Sequence, residues 1–167
     1  MQVFTNNRCG TCSQCCYFTA VPELGKDNHF WCAFCSPGEG CKCYGLRPLS
    51  CSEYVCLWHV NKGMPRTMRP DQCGVMFERL VDAPVFLAMV DPKRRNSWQM
   101  EPARQIVVKL LKDGYSIVVH SGPYDQNHIL LAEGYTVEEV RAGIRHAILR
   151  ANAKMVEESN DSAAVRN

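Results

Sequence analysis

The second half of the chain carries apolar positions with the two-residue period of β-strands. Two runs, VMFERL (75–80) and VFLAMV (85–90), predict strands, and residues 81–84 between them predict a hairpin connection. SIVVH (116–120) predicts a third strand. HILLAE (128–133) fits either an edge strand or a short helix, and its pattern does not decide between them.

Two further segments follow the helical period. Pro102 is suited to the start of a helix and Gly114 to its end, and the residues between them repeat apolar side chains at helical spacing: Ala103, Ile106, Val107, Leu110 and Leu111. Thr136 and Glu139 have the spacing of a capping box. They predict a long last helix with one apolar face, made of Val137, Val140, Ile144, Ile148, Ala151 and Met155. Residues 74–167 therefore predict a small α+β region.

Residues 1–73 have a different character, being rich in Cys, Gly and Pro with weak periodicity. A segment of this size with few aliphatic residues cannot build a large hydrophobic core, and such segments usually need a metal or covalent cross-links. We predict an α+β protein in which a cysteine-rich, metal-stabilised region with little regular structure (1–73) packs on the α+β region (74–167) as one compact unit. The joining segment RTMRPDQCG contains no obvious flexible spacer.

Composition and charge limit the possible partners and the cellular location of the protein. The chain has 167 residues, 46% hydrophobic and 22% charged, with a net charge of +2, so bulk electrostatics identify no partner. It has no apolar run of about 18 residues and no apolar segment at its start, which predicts a cytoplasmic protein with no membrane partner. In the reducing cytosol, clustered cysteines more often bind metal or perform redox chemistry than form disulfides.

The cysteines are confined to one part of the chain. Ten of the eleven lie between positions 9 and 56, and the eleventh is Cys73. A Cys-x-x-Cys turn presents two thiolates to one ion, and the pairs at 9/12 and 32/35 together match a zinc ribbon. That division leaves six cysteines over, so two metal sites sharing about eight cysteines are the more economical interpretation. The cysteine spacing of bacterial ferredoxins matches the first three cysteines here, but the fourth cysteine does not follow that spacing.

Two separated motifs carry a family resemblance. CGTCSQCC (9–16) spells C-x-x-C-x-x-C-C, and CKCYGLRPLSC (41–51) is followed by EYVCLW (53–58). In these motifs the chain resembles the CxxCxxCC family, the YkgJ-type cysteine-cluster proteins described as chelating zinc or iron. The resemblance covers residues 9 to 58. It implies ligands at Cys9, Cys12, Cys15, Cys16, Cys41, Cys51 and Cys56, with Cys32 or Cys35 as the middle cysteine. Related clusters in a flagellin lysine methylase imply an iron–sulfur or catalytic alternative.

We therefore expect the chain to bind metal through thiolates. The cofactor expected first is Zn2+, one or two ions, and the alternative is an iron–sulfur cluster, because thiolates serve both. Two histidines near the motifs, His29 and His59, are candidates to replace a thiolate, and the roles of Cys43 and Cys73 stay open. The candidate ligands are Cys9, Cys12, Cys15, Cys16, Cys32, Cys35, Cys41, Cys51 and Cys56.

The expected role of the metal is structural, since eight thiolates on two ions leave no open coordination position. The alternatives are an iron–sulfur enzyme or electron-transfer component acting in protein modification, and a nucleic-acid-binding zinc module. Interleaved aromatic residues are expected to form a small core around the metals rather than a platform for bases: Trp31, Tyr44, Tyr54 and Trp58. Basic residues have acidic neighbours, so we expect no nucleic-acid partner, while a protein partner remains an option.

Overall fold

The computed structural model describes residues 9–122 and 127–164, with the backbone alone for residue 151 and residues 154–164. The described residues form an α+β fold with one mixed four-stranded sheet and one two-stranded ribbon. The helices are α1 (Gln14–Phe18), α2 (Leu49–Ser52), α3 (Leu57–Val60), α4 (Pro70–Cys73), α5 (Ala103–Lys112) and α6 (Val137–Ala164). The strands are β1 (Cys35–Ser36), β2 (Gly40–Cys41), β3 (Val75–Arg79), β4 (Val85–Val90), β5 (Ser116–His120) and β6 (His128–Leu130).

The four-stranded sheet has the order β3-β4-β5-β6. β3 and β4 form the predicted antiparallel hairpin, with Val75 opposite Val90. β4 and β5 run parallel, with Val85 opposite Ser116. A parallel pair needs a crossover connection, and α5 lies in the one between these strands. The undecided segment HILLAE resolves as the short edge strand β6, antiparallel to β5.

One face of the sheet packs against α5. The period-two alternation of the strands places alternate residues on this face, and the apolar stripe of α5 covers them. The predicted start at Pro102 and end before Gly114 are confirmed, since α5 begins at Ala103 and ends at Lys112. The buried residues of this layer are Val75, Phe77, Phe86, Ala88, Val90, Ala103, Ile106, Val107, Leu110, Ile117 and Val119.

The first turns of α6 cover part of the opposite face. The predicted capping box is confirmed: the Glu139 carboxylate accepts a 2.8 Å hydrogen bond from the Thr136 N–H, and the Thr136 hydroxyl accepts one of 3.3 Å from the Glu139 N–H. Val140 is buried against Val85 and Val118. Further along the helix the predicted apolar face is less buried, since Ile148 is 52% exposed, and the side chains of Ala151 and Met155 lie outside the described residues.

The cysteine-rich region covers the rest of that face. Phe18, at the end of α1, is fully buried against Met76 of β3 and Met89 of β4. The two regions are joined directly, because α4 ends at Cys73 and its C-cap Gly74, with a φ of +79°, leads straight into β3. A Cβ at Gly74 would lie 2.9 Å from Ser97 Oγ, so only glycine fits there without displacement.

Among the described residues, none of the helices combines the length and the apolar character needed to cross a membrane.

The contact of Phe18 with the sheet predicts a large stability effect. Phe18→Ala is expected to lower the free energy of unfolding by about 3–5 kcal/mol, because it opens a cavity between α1 and the sheet. Phe34→Ala is the matched control, since Phe34 lies in the same region but is 47% exposed, and it is expected to cost less than about 0.5 kcal/mol. Urea unfolding measures both. Equal losses would contradict the docking of the cysteine-rich region on the sheet.

Candidate metal centre

Nine cysteines line a single cavity in the first half of the chain. Its volume is about 160 Å3, and His59, Arg47 and Tyr54 contribute to its wall. Eight of the nine predicted ligands are among the lining cysteines, and Cys43, whose role the sequence leaves open, joins them. The lining cysteines are Cys9, Cys12, Cys15, Cys16, Cys32, Cys41, Cys43, Cys51 and Cys56.

The two remaining cysteines lie in different surroundings. The Cys35 thiol is outside the cavity wall but is hydrogen-bonded to the Cys16 thiol, so it stands directly behind a lining residue. Cys73 is buried in the layer between the sheet and α5, where its thiol donates to the Val75 carbonyl at 3.2 Å. Cys73 therefore behaves as a packed core residue, remote from the cavity.

Short hydrogen-bonded turns bring the lining side chains together. The Cys12 N–H donates to the Cys9 carbonyl at 2.8 Å, and the Cys35 N–H donates to the Cys32 carbonyl at 3.0 Å. Each such turn presents two side chains three positions apart toward one place. The β1–β2 ribbon adds a further pairing by placing Cys35 opposite Cys41.

Two pairs of donor atoms stand at the separation of ligands that share an ion. Cys41 Sγ lies 3.5 Å from Cys43 Sγ, and Cys9 Sγ lies 3.6 Å from His59 Nδ1. Tetrahedral zinc, with bonds of about 2.3 Å to sulfur and about 2.0 Å to nitrogen, separates two sulfurs by about 3.8 Å and a sulfur and a nitrogen by about 3.6 Å. Both pairs are close to these values.

A complete ligand set is not assembled. In the ranges 9–122 and 127–164, no group of three or more His, Cys, Asp or Glu side chains is arranged as a metal site. A four-ligand centre at this cavity therefore requires rotation of further thiols, each of which moves by roughly 3 Å between staggered rotamers. The soft thiolate donors match zinc and iron, and the volume of about 160 Å3 far exceeds the space of one water, about 10–15 Å3. Both the donor atoms and the volume of the cavity are therefore compatible with more than one metal ion.

Burial raises the pKa of several of these thiols. It raises the pKa of Cys12 to about 12 and that of Cys56 to about 11, and it also raises the pKa of Cys9. Cys15 differs from these three, because its pKa is lowered to about 7, chiefly by the hydrogen bond with the Cys16 thiol. A metal that binds here must displace protons, so its affinity falls as the pH falls.

Three cationic side chains surround the cavity. Arg47 lies over the Tyr44 ring at 3.8 Å, and its charge lowers the pKa of Cys9 and Cys15. The Lys26 ammonium donates to the Thr19 and Asp27 carbonyls and interacts electrostatically with the thiols of Cys16 and Cys32. Such charges offset the net charge of −2 that four thiolates leave on one Zn2+.

The third cation, Arg69, is buried. It forms a bidentate ion pair with Asp71, with N–O distances of 2.6 and 2.7 Å, and donates to the Thr11 hydroxyl at 3.3 Å. Thr11 lies between Cys9 and Cys12, so this ion pair fixes the first cysteine turn against α4. The sequence analysis did not identify Lys26 or Arg69, because both reach the site through contacts that no local spacing reveals.

The aromatic side chains divide into two groups. Trp58 is 6% exposed, and the half-buried Tyr54 donates from its hydroxyl to Met76 Sδ at 3.4 Å, so the predicted aromatic core holds for these two. The prediction is wrong for Trp31 and Tyr44, which are 45% and 56% exposed. Tyr44 is held at the surface under Arg47, and Trp31 lies against Tyr17 with ring centroids 5.1 Å apart.

The two candidate histidines have different surroundings. His59 lines the cavity, whereas His29 is packed against the rings of Phe18 and His120, with centroid distances of 5.6 and 4.6 Å. His29 is 5% exposed, and neither of its ring nitrogens has a hydrogen-bond partner among the described residues. The pKa of His29 is lowered to about 4, and burial is the largest cause of this shift. His29 is therefore a neutral residue at the contact between the cysteine-rich region and β5.

Comparisons of the chain with protein-family models, with curated proteins and with solved structures gave no match. The family resemblance of the cysteine motifs therefore remains a hypothesis that depends on the motifs alone.

The burial of neutral His29 predicts acid sensitivity. Its pKa of about 4 in the folded state lies below the value of about 6.5 in the unfolded state, so between these values the unfolded chain binds more protons. The free energy of unfolding should fall as the pH falls through this window, by on the order of 2 kcal/mol.

The test is urea unfolding between pH 4 and pH 6.5. His29→Asn is the informative variant, because asparagine tolerates the φ of +62° at this position, and its unfolding free energy should depend less on pH than that of the natural protein. His146→Gln, at an exposed position of α6, should keep the natural slope. Parallel curves for all three proteins would show that His29 does not contribute.

Proposed function

We propose that this protein binds metal through its clustered cysteine thiolates, with Zn2+ as the first candidate. The observation that carries the proposal is the single cavity lined by nine cysteines from separate segments of the chain. Thiols that only packed as small apolar groups would not be expected to line one cavity with cationic side chains beside it. The candidate ligands are the nine lining cysteines, with Cys35 directly behind them.

The role that best fits these surroundings is structural. The elements that carry or adjoin the thiols are short: α1 has 5 residues, α2 has 4, and α3, which follows Cys56, also has 4. Helices of this length are not stable on their own. A metal that binds the folded arrangement and not the unfolded chain contributes its binding free energy to folding. Zn2+ would supply this by joining four thiolates in a closed tetrahedral site.

The same cavity supports an iron–sulfur cluster as the second candidate. Nine thiols around about 160 Å3 exceed the needs of one tetrahedral ion, so the choice is between neighbouring zinc ions and one multinuclear cluster. An iron–sulfur cluster would make the protein an electron-transfer component or an enzyme, with modification of a protein as the candidate reaction. A colourless preparation with stoichiometric zinc excludes the cluster, and a brown preparation that absorbs near 400 nm supports it.

The ligand assignment predicts different effects for two cysteines that are both shielded from solvent. Cys56→Ser should lower the metal content of anaerobically purified protein by at least one ion per chain, because it removes a thiolate from the cavity wall. Cys73→Ser is the matched control, since Cys73 is buried in the core beside α5, and it should leave the metal content unchanged. Elemental analysis of the three proteins, with their ultraviolet–visible spectra, measures this. Absence of metal from the natural protein, or equal losses in both variants, would contradict the proposal.

A further inference from the structure

The segment Cys56-Leu57-Trp58-His59 is folded like the cysteine turns. Its His59 N–H donates to the Cys56 carbonyl at 3.0 Å, just as Cys12 donates to Cys9 at 2.8 Å. His59 therefore occupies the place that the second cysteine holds in a Cys-x-x-Cys turn.

This turn is anchored so that both of its end residues reach the cavity. Trp58 is buried, and Leu57 packs against the apolar layer between the sheet and α5. Cys56 and His59 both line the cavity wall. Since the two middle side chains are held by the core, the two end side chains are presented together.

His59 faces the first cysteine turn with a metal-binding atom. Its Nδ1 lies 3.6 Å from Cys9 Sγ, the separation expected for a nitrogen and a sulfur on one tetrahedral zinc ion. Cys9, Cys56 and His59, which come from two segments of the chain, all line the same cavity.

We propose, on the basis of the proposed function, that the chain contains a mixed centre in which His59 is a ligand together with Cys9 and Cys56. The other seven lining thiols are left to complete this centre and to form a second, all-cysteine one: Cys12, Cys15, Cys16, Cys32, Cys41, Cys43 and Cys51. Within that group, Cys41 and Cys43 have their sulfurs 3.5 Å apart.

Cobalt substitution tests the assignment. Metal-free, reduced full-length protein is titrated anaerobically with Co2+, and the visible spectrum and the number of bound ions are recorded. His59→Ala should bind one Co2+ fewer per chain and lose the absorption of the mixed sulfur–nitrogen centre. His59→Cys should restore the number of ions, with its ligand-field bands at longer wavelength, because sulfur is a weaker-field donor than nitrogen. His146→Ala, on exposed α6, should behave like the natural protein.

The outcomes separate this inference from the proposed function. If His59→Ala binds as many Co2+ ions as the natural protein with an unchanged spectrum, His59 only hydrogen-bonds to Cys9, and the inference fails while metal binding stands. If His59→Ala does not fold, His59→Cys decides, and an unchanged spectrum in that variant overturns the inference. If the natural protein binds neither Co2+ nor any other metal, the proposed function fails, and the inference fails with it.

Discussion

The arrangement of the first half of the chain depends on the convergence of nine cysteine side chains on one cavity. Among the described residues before α4, only Phe18, Val21 and Trp58 are buried apolar side chains, so hydrophobic burial holds this region at few points. Ionised thiols at distances such as 3.5 Å would repel each other, and thiols kept neutral by burial offer little attraction. A cation bound between them would remove the repulsion and connect segments that otherwise have few contacts.

The sheet supplies the rigid support for this arrangement. The buried residues of its hydrophobic layer with α5 all lie within residues 73–119, and its opposite face packs against α6 and Phe18. The Arg69–Asp71 ion pair and the buried turn at Trp58 attach two of the cysteine-bearing segments to this support. The sheet therefore positions these two cysteine-bearing segments.

The elements that the sequence predicts well are those set by local periods and caps. The β3–β4 hairpin, α5 and the start of α6 follow from apolar spacing, Pro102 and the Thr136–Glu139 pair. Cys-x-x-Cys spacing accounts for the pairs 9/12 and 32/35 in the candidate ligand list, since each turn brings its own two side chains together, and the resemblance to a cysteine-cluster family implies the other ligands. Long-range contacts decide the rest: whether Cys43 joins the cavity and Cys73 leaves it, whether Trp31 is covered, and which histidine meets a thiol. His29 and His120 are in contact although they lie 91 positions apart in the sequence, and no local pattern predicts such a contact.

The central claim is that the cavity is a metal centre, and anomalous diffraction tests it most directly. Crystals of anaerobically purified protein, measured at the absorption edges of zinc and iron, should show anomalous density inside the cavity, with cysteine sulfurs at about 2.3 Å from each ion. Density in the cavity at the zinc edge alone would identify zinc, and strong density at the iron edge would identify the cluster. Well-ordered crystals whose cavity shows no anomalous density, or whose metal lies elsewhere on the chain, would contradict the account.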